Sequence, residues 1–161
     1  MGKEELINKV REKINLLKEE FKYYPDSFNY EGDMVCKLYC YLAQINELVV
    51  KDKCKEQLMH SQVVTISNKK QKYDIAISDL SSTEDDISFI AIECKFNEND
   101  FEKLENDFEK LEKPSNKVQN AYFIIFKTEK SKNFNKKFEA IKNKYNRVNV
   151  IYEFKERSIK D

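Results

Sequence analysis

The sequence predicts an α/β fold: a mixed central sheet, an antiparallel meander extended by a parallel βαβ unit, with helices on both faces. Three observations lead there. Short apolar runs of strand length alternate with longer stretches of helical periodicity. Three of those strands are joined by connections too short for a crossover, so they pair antiparallel. Late in the chain a helix lies between two strands, and such βαβ units are parallel and right-handed. The 161 residues are 40 % hydrophobic with only two Gly and two Pro, which suits one domain over 1–161 with few breaks. Within it, 1–24 reads as an N-terminal helix, 26–127 as the core and 128–161 as a C-terminal helix and strand.

Residues 4–22 repeat apolar side chains as Val10, Ile14, Leu17 and Phe21, one face of a helix. Tyr24-Pro25-Asp26-Ser27 breaks it and offers a cap for the next. A second helix is expected over about 28–49, its stripe being Val35, Leu38, Leu42, Ile45 and Val49. A step of four backward lands on Glu31, which therefore faces inward. Glu47 falls on the opposite side and faces water. Strands follow at 61–66, at Tyr73 to Ser78 and at Ile87 to Phe96. The turn Ser67-Asn68-Lys69-Lys70 and the acidic loop Asp79 to Asp86 join them. Residues 98–104 and 105–111 are the same heptad, Glu-Asn-Asp-Phe-Glu-Lys-Leu. Phe101, Leu104, Phe108 and Leu111 make one apolar stripe, expected to dock on the sheet rather than on a second copy. Pro114 ends that region. Ala121 to Lys127 reads as a buried parallel strand. Residues 132–145 form a helix with Phe134, Phe138, Ile141 and Tyr145 inward, and Val148 to Phe154 the last strand.

No apolar run approaches the roughly 18–20 residues that span a bilayer, so no membrane partner is expected. The charged start carries no signal-peptide pattern, and Leu6 stands where a myristoylation site needs Ser or Thr. Net charge is zero but uneven, with 113–161 basic and the remainder acidic. A basic half suits a polyanion; a Lys- and Asn-rich bias explains it equally well. Cys36, Cys40, Cys54 and Cys94 form no Cys-x-x-Cys pair. Cys36 and Cys40, one turn apart, could begin a metal site. Buried free thiols of a reducing, cytoplasmic compartment are the expectation.

Strand alternation isolates the chemistry. Asp74, Ala76 and Ser78 share one face of their strand, opposite Ile75 and Ile77. Phe89, Ala91, Glu93 and Lys95 share one face of the next, opposite Ile90, Ile92 and Cys94. One face is aliphatic; the other gathers Asp74, Glu93 and Lys95 beside small alanines. Glu93 and Lys95 lie about 6.5–7 Å apart along a strand, and Asp74 approaches from a neighbour about 4.8 Å away. Two carboxylates at that range repel unless a cation lies between them. Hard oxygen donors select Mg²⁺ or Mn²⁺, with the Cys94 carbonyl as a further ligand. Lys95 would orient the attacking water, lower its pKa or stabilise phosphate charge. Glu-x-Lys alone is weak, since it recurs at Glu20–Lys22 and Glu153–Lys155. A bare salt-bridge cluster is the plain alternative, though surface pairs contribute little and the strands here read as buried.

Tyr73-Asp74-Ile75-Ala76-Ile77 followed by Phe89-Ile90-Ala91-Ile92-Glu93-Cys94-Lys95-Phe96 resembles the PD-(D/E)XK nucleases, the restriction-endonuclease-like superfamily. The resemblance spans about 26–127 and implies Mg²⁺-dependent hydrolysis of DNA phosphodiesters. By it, Asp74 and Glu93 are the metal-binding acids, Lys95 the catalytic lysine, and Glu31 the additional acidic residue on the preceding helix. Tyr73 replaces the motif's Pro, and no subfamily signature follows in the repeat helix, which leaves the substrate open. A homodimer cutting both strands is expected.

Other candidates are weaker. His60, the lone histidine, enters the first strand and reads as a cap or surface residue. Glu84-Asp85-Asp86 reads as a solvated loop. Tyr23, Tyr24, Tyr39, Tyr41 and Tyr122 could stack on bases, but packing is the default. Lys127, Lys130, Lys132, Lys136 and Lys137 suit phosphate contacts or a solvated helix start. No P-loop, dinucleotide fingerprint, Ser-His-Asp order or zinc spacing is present. A different class remains open: a non-catalytic binding or inhibitor module whose acidic repeat helix docks a protein partner.

Overall fold

The computed structural model describes residues 2–45, 59–64, 72–78, 88–113 and 118–157. Glu47, Cys54, the Ser67–Lys70 turn, the loop from Asp79 to Asp86 and Pro114 lie outside them.

Helix α1 covers Lys3–Tyr23 and buries Ile7, Val10, Ile14, Leu17 and Phe21, the expected stripe extended by one turn. A 3₁₀ turn at Pro25–Ser27 separates it from α2, Glu31–Leu42. This helix is shorter than the expected 28–49, and Ser27 does not cap it. Instead the Asp33 carboxylate reaches back to accept from Asn29 N at 2.7 Å and Tyr30 N at 3.3 Å, so the helix begins after Tyr30. Its inward row is Met34, Leu38 and Leu42, with Ile45 buried just beyond the end. Leu38, Leu42 and Ile45 are buried as expected; at the start of the stripe Met34 takes the inward place and Val35 flanks it.

Five strands follow in sequence order across one sheet: β1 (Met59–Val64), β2 (Lys72–Ser78), β3 (Ser88–Phe96), β4 (Asn120–Lys127) and β5 (Val148–Phe154). β1, β2 and β3 form the antiparallel meander. β3, β4 and β5 are parallel, because α3 (Phe101–Glu112) and α4 (Phe134–Lys144) cross over between them. The chain therefore holds two successive βαβ units. Among the described residues, no helix is long and apolar enough to cross a membrane.

Strand alternation divides the core into two layers. Ile75, Ile77, Ile90, Ile92, Cys94, Ile124 and Phe126 face α1 and α2. Ala76, Ala91, Ala121, Phe123 and Ile125 face α3 and α4. Phe21 stacks on Phe126 at 4.5 Å in the first layer, and Phe108 on Phe123 at 4.3 Å in the second. The α3 stripe is used up in this second layer: Leu104, Phe108 and Leu111 are buried against the sheet, with Phe101 at the margin. β3 thus lies mid-sheet with both faces covered.

Candidate active site

The site begins where two strands part. β2 and β3 pair from Ser78↔Ser88 to Ile75↔Ile92 and no further. At the next step a side chain takes over from the backbone: Asp74 Oδ2 accepts the Cys94 N–H at 2.8 Å. A strand residue's N–H and C=O leave on the same side, so the Cys94 carbonyl opens toward Asp74 as well. The departure from the ladder also breaks the alternation. Tyr73 packs in the α3/α4 layer, not beside Ile75 as period two predicts.

Glu93 and Lys95 follow Ala91 on the α3/α4 side of β3. Lys95 does not pair with Glu93. Its ammonium lies 3.2 Å from Glu31 Oε2 on α2 and 3.3 Å from Asp107 Oδ2 on α3. The partner of Glu93 is Lys110, whose Nζ is 2.5 Å from Glu93 Oε1 and 3.1 Å from Asp107 Oδ1. Asp107 therefore bridges the two lysines. All four expected site residues come together, and two more from α3 join them. Sequence periodicity missed Asp107 and Lys110 because both lie off the apolar stripe. A signal was available nonetheless: a buried glutamate requires a cation, and α3 is the helix that must cover β3.

The electrostatics follow from this arrangement. Glu93 is 1 % exposed. Burial pushes its carboxyl well above the ordinary range, and the charge of Asp74 adds to that, while Lys110 opposes it. Glu31 is also raised, first by burial, against the pull of Lys95. Burial alone would lower Lys95, but Asp107, Glu31, Glu93 and Asp74 outweigh it and hold the group charged. Lys95 is thus a fixed cation and a donor, not a proton acceptor. The Cys94 thiol is pushed well up by burial and is inert.

Asp74, Glu93, Asp107 and Glu31 supply four carboxylates against the two ammonium groups of Lys95 and Lys110. Burial raises Glu93 and Glu31, so the cluster holds less negative charge than that count, on hard oxygen donors of the kind that suit a divalent cation. Among the described residues no three His, Cys, Asp or Glu side chains converge tightly enough to hold a metal. The donors are oxygens of the type that suits Mg²⁺ or Mn²⁺, and Asp74, Glu93 and the Cys94 carbonyl would be the holding groups; the place beside Glu93 is taken by Lys110.

The remaining candidates fall elsewhere. His60 pairs with Ala76 in the β1–β2 ladder. Cys36 and Cys40 are exposed, against the expectation of buried thiols, because α2 turns them away from the core; Cys94 is buried. Lys127 is not a phosphate contact: it is buried, donating to Glu98 O at 3.1 Å and Asn99 Oδ1 at 2.7 Å over the Phe134 ring. Lys130 and Lys136 line a groove of about 410 Å³ with Phe134 and Tyr152. None of the site carboxylates reaches that groove. Tyr122 is buried and accepts from Arg11 at 3.1 Å, whereas Tyr23 and Tyr24 are exposed. No protein-family model, curated protein or solved structure matches the chain.

Proposed function

We propose that this chain is a divalent-cation-dependent nuclease that hydrolyses DNA phosphodiester bonds through a restriction-endonuclease-like core. One observation carries the reading: Asp74 and Glu93 meet at the point where β2 leaves β3, with Lys95 charged beside them and Glu31 reaching in from α2. Asp74, Glu93 and the Cys94 carbonyl would hold a Mg²⁺ or Mn²⁺ ion, which would supply Lewis-acid activation of water and neutralise phosphate charge. Lys95 then donates hydrogen bonds to the attacking water or to a non-bridging phosphate oxygen, and its charge opposes the negative charge that develops. Glu31 and Asp107 hold that ammonium from two sides, which fixes its direction.

The test is direct. Purified protein is incubated with linear, nicked and branched DNA in Mg²⁺ or Mn²⁺. Cleavage is expected with wild type and should fall at least about a hundredfold in Glu93→Ala, the scale of losing a principal electrostatic group. No cleavage, or cleavage indifferent to this substitution, sinks the reading.

A second reading is favoured by the completeness of the ion pairs. Glu93 already has Lys110 and Asp74 already has the Cys94 N–H, so each carboxylate has a partner within the protein. A non-catalytic binding module would keep such a cluster for structure alone. Calorimetry separates the two, since this module binds no Mn²⁺.

A further inference from the structure

We propose that Lys110 is a resident counter-ion for Glu93 that withdraws along α3 when a divalent cation enters, so that cation binding and lysine docking compete for one carboxylate. The inference rests on the metal-dependent reading above.

Glu93 has almost no access to solvent, and its ionised form needs a counter-ion there. Its strand neighbour Lys95 is engaged elsewhere, between Glu31 and Asp107. Lys110 fills the role from an unusual starting point. On an ideal helix it lies about 140° from the centre of the apolar stripe, yet α3 buries it along with Leu104, Phe108 and Leu111. Only the long aliphatic stem, folded round the helix flank, brings the ammonium to Glu93. Moving the ammonium off Glu93 needs only rotation about the last bonds of that stem, because Asp107 is already within reach of it.

Withdrawal does not strand it either. Asp107, one turn earlier on the same helix, already holds the same ammonium at 3.1 Å. Lys110 can give up Glu93 and keep a partner. Lys110 occupies the Glu93 oxygen that a divalent ion would take, so an arriving ion displaces it from that carboxylate. The consequence is a site held shut at low cation concentration, with an apparent metal affinity below that of its bare carboxylates.

Mn²⁺ affinity is measured by calorimetry on the full chain for wild type, Lys110→Met and Lys103→Met. Met keeps the stem and removes the charge, and Lys103 is the matching residue of the first heptad. Lys110→Met is expected to bind at least about tenfold tighter than wild type, about 1.4 kcal/mol, with Lys103→Met unchanged. Equal or weaker binding by Lys110→Met overturns the proposal while leaving the metal-dependent reading standing. Absence of Mn²⁺ binding in all three proteins overturns both. Tighter binding without DNA cleavage keeps the competition and removes the nuclease. Should Lys110→Met fail to fold, wild-type protein decides: amine acetylation read by mass spectrometry should rise several-fold at Lys110 on adding Mg²⁺, but not at Lys103. No rise at Lys110 overturns the competition.

Discussion

The heptad Glu-Asn-Asp-Phe-Glu-Lys-Leu occurs twice in succession, and the two copies do different things. In the first, Asp100 precedes the helix and caps it, accepting from Glu102 N at 3.1 Å and Lys103 N at 3.3 Å. Lys103 stays on the surface, its side chain 67 % exposed, 3.7 Å from Asp100 and 4.0 Å from Glu98. In the second, Asp107 bridges two lysines and Lys110 is buried against Glu93. From Phe101 on, seven residues are almost two full turns, so matched helical residues share a face and differ by about 10.5 Å along the axis. That shift decides everything. The first copy spans the start of the helix, with Asp100 as its cap; the second is helical throughout and reaches Glu93 and Lys95. Identity of sequence sets which groups are offered, and position relative to the sheet sets which are used.

Substitutions at matched positions sharpen or break this comparison. The largest difference is expected at the aromatic pair. Phe108 is fully buried and stacked on Phe123, so Phe108→Ala should cost about 3–5 kcal/mol in urea unfolding. Phe101 is at the margin, and Phe101→Ala should cost roughly half as much or less. Equal costs would mean that the two copies are equally part of the core.

The aspartates come next. Asp107→Asn removes a charge shared by Lys95 and Lys110 and should destabilise by about 1–3 kcal/mol. The same change at Asp100 should be near neutral, since Asn caps a helix as well as Asp does. Matching losses would break the distinction between a site residue and a cap.

The smallest effect concerns Glu105, the second copy's counterpart of Glu98. Its hydrogen bond with Lys144 lowers its carboxyl below the ordinary glutamate value. A lowered folded pKa adds stability above the unfolded value, and that gain is lost as pH falls through the folded one. NMR titration should therefore find Glu105 below an ordinary glutamate, and Lys144→Met should move it back up. A Glu105 indifferent to that substitution would remove the pair from the account.

Much of the fold was legible because its signals are local. β5 falls on Val148–Phe154 as read, and the α1 and α4 stripes bury the expected residues. Strand phase also grouped Asp74, Glu93 and Lys95, because alternation is a property of the backbone, and the helical step of four turned Glu31 inward. What failed was non-local. The alternation stops at Tyr73, where β2 leaves its partner, and no single strand reports where a neighbour ends. Lys110 was missed for a different reason. Helical periodicity assigns a residue by its Cβ direction, whereas the ammonium lies several bonds away. Lys127 illustrates the same point from the basic tract, a lysine whose stem and head are both enclosed.

The bond from Cys94 N to Asp74 has a consequence for every experiment on this protein. The oxygen assigned to chemistry also completes the hydrogen bonding of the central strand. Loss of function in Asp74→Ala would therefore report two injuries at once, a missing acid and a backbone amide stranded in a dry interior. Asp74→Asn keeps an acceptor for that amide and removes only the charge. Of the two substitutions, it alone asks a single question.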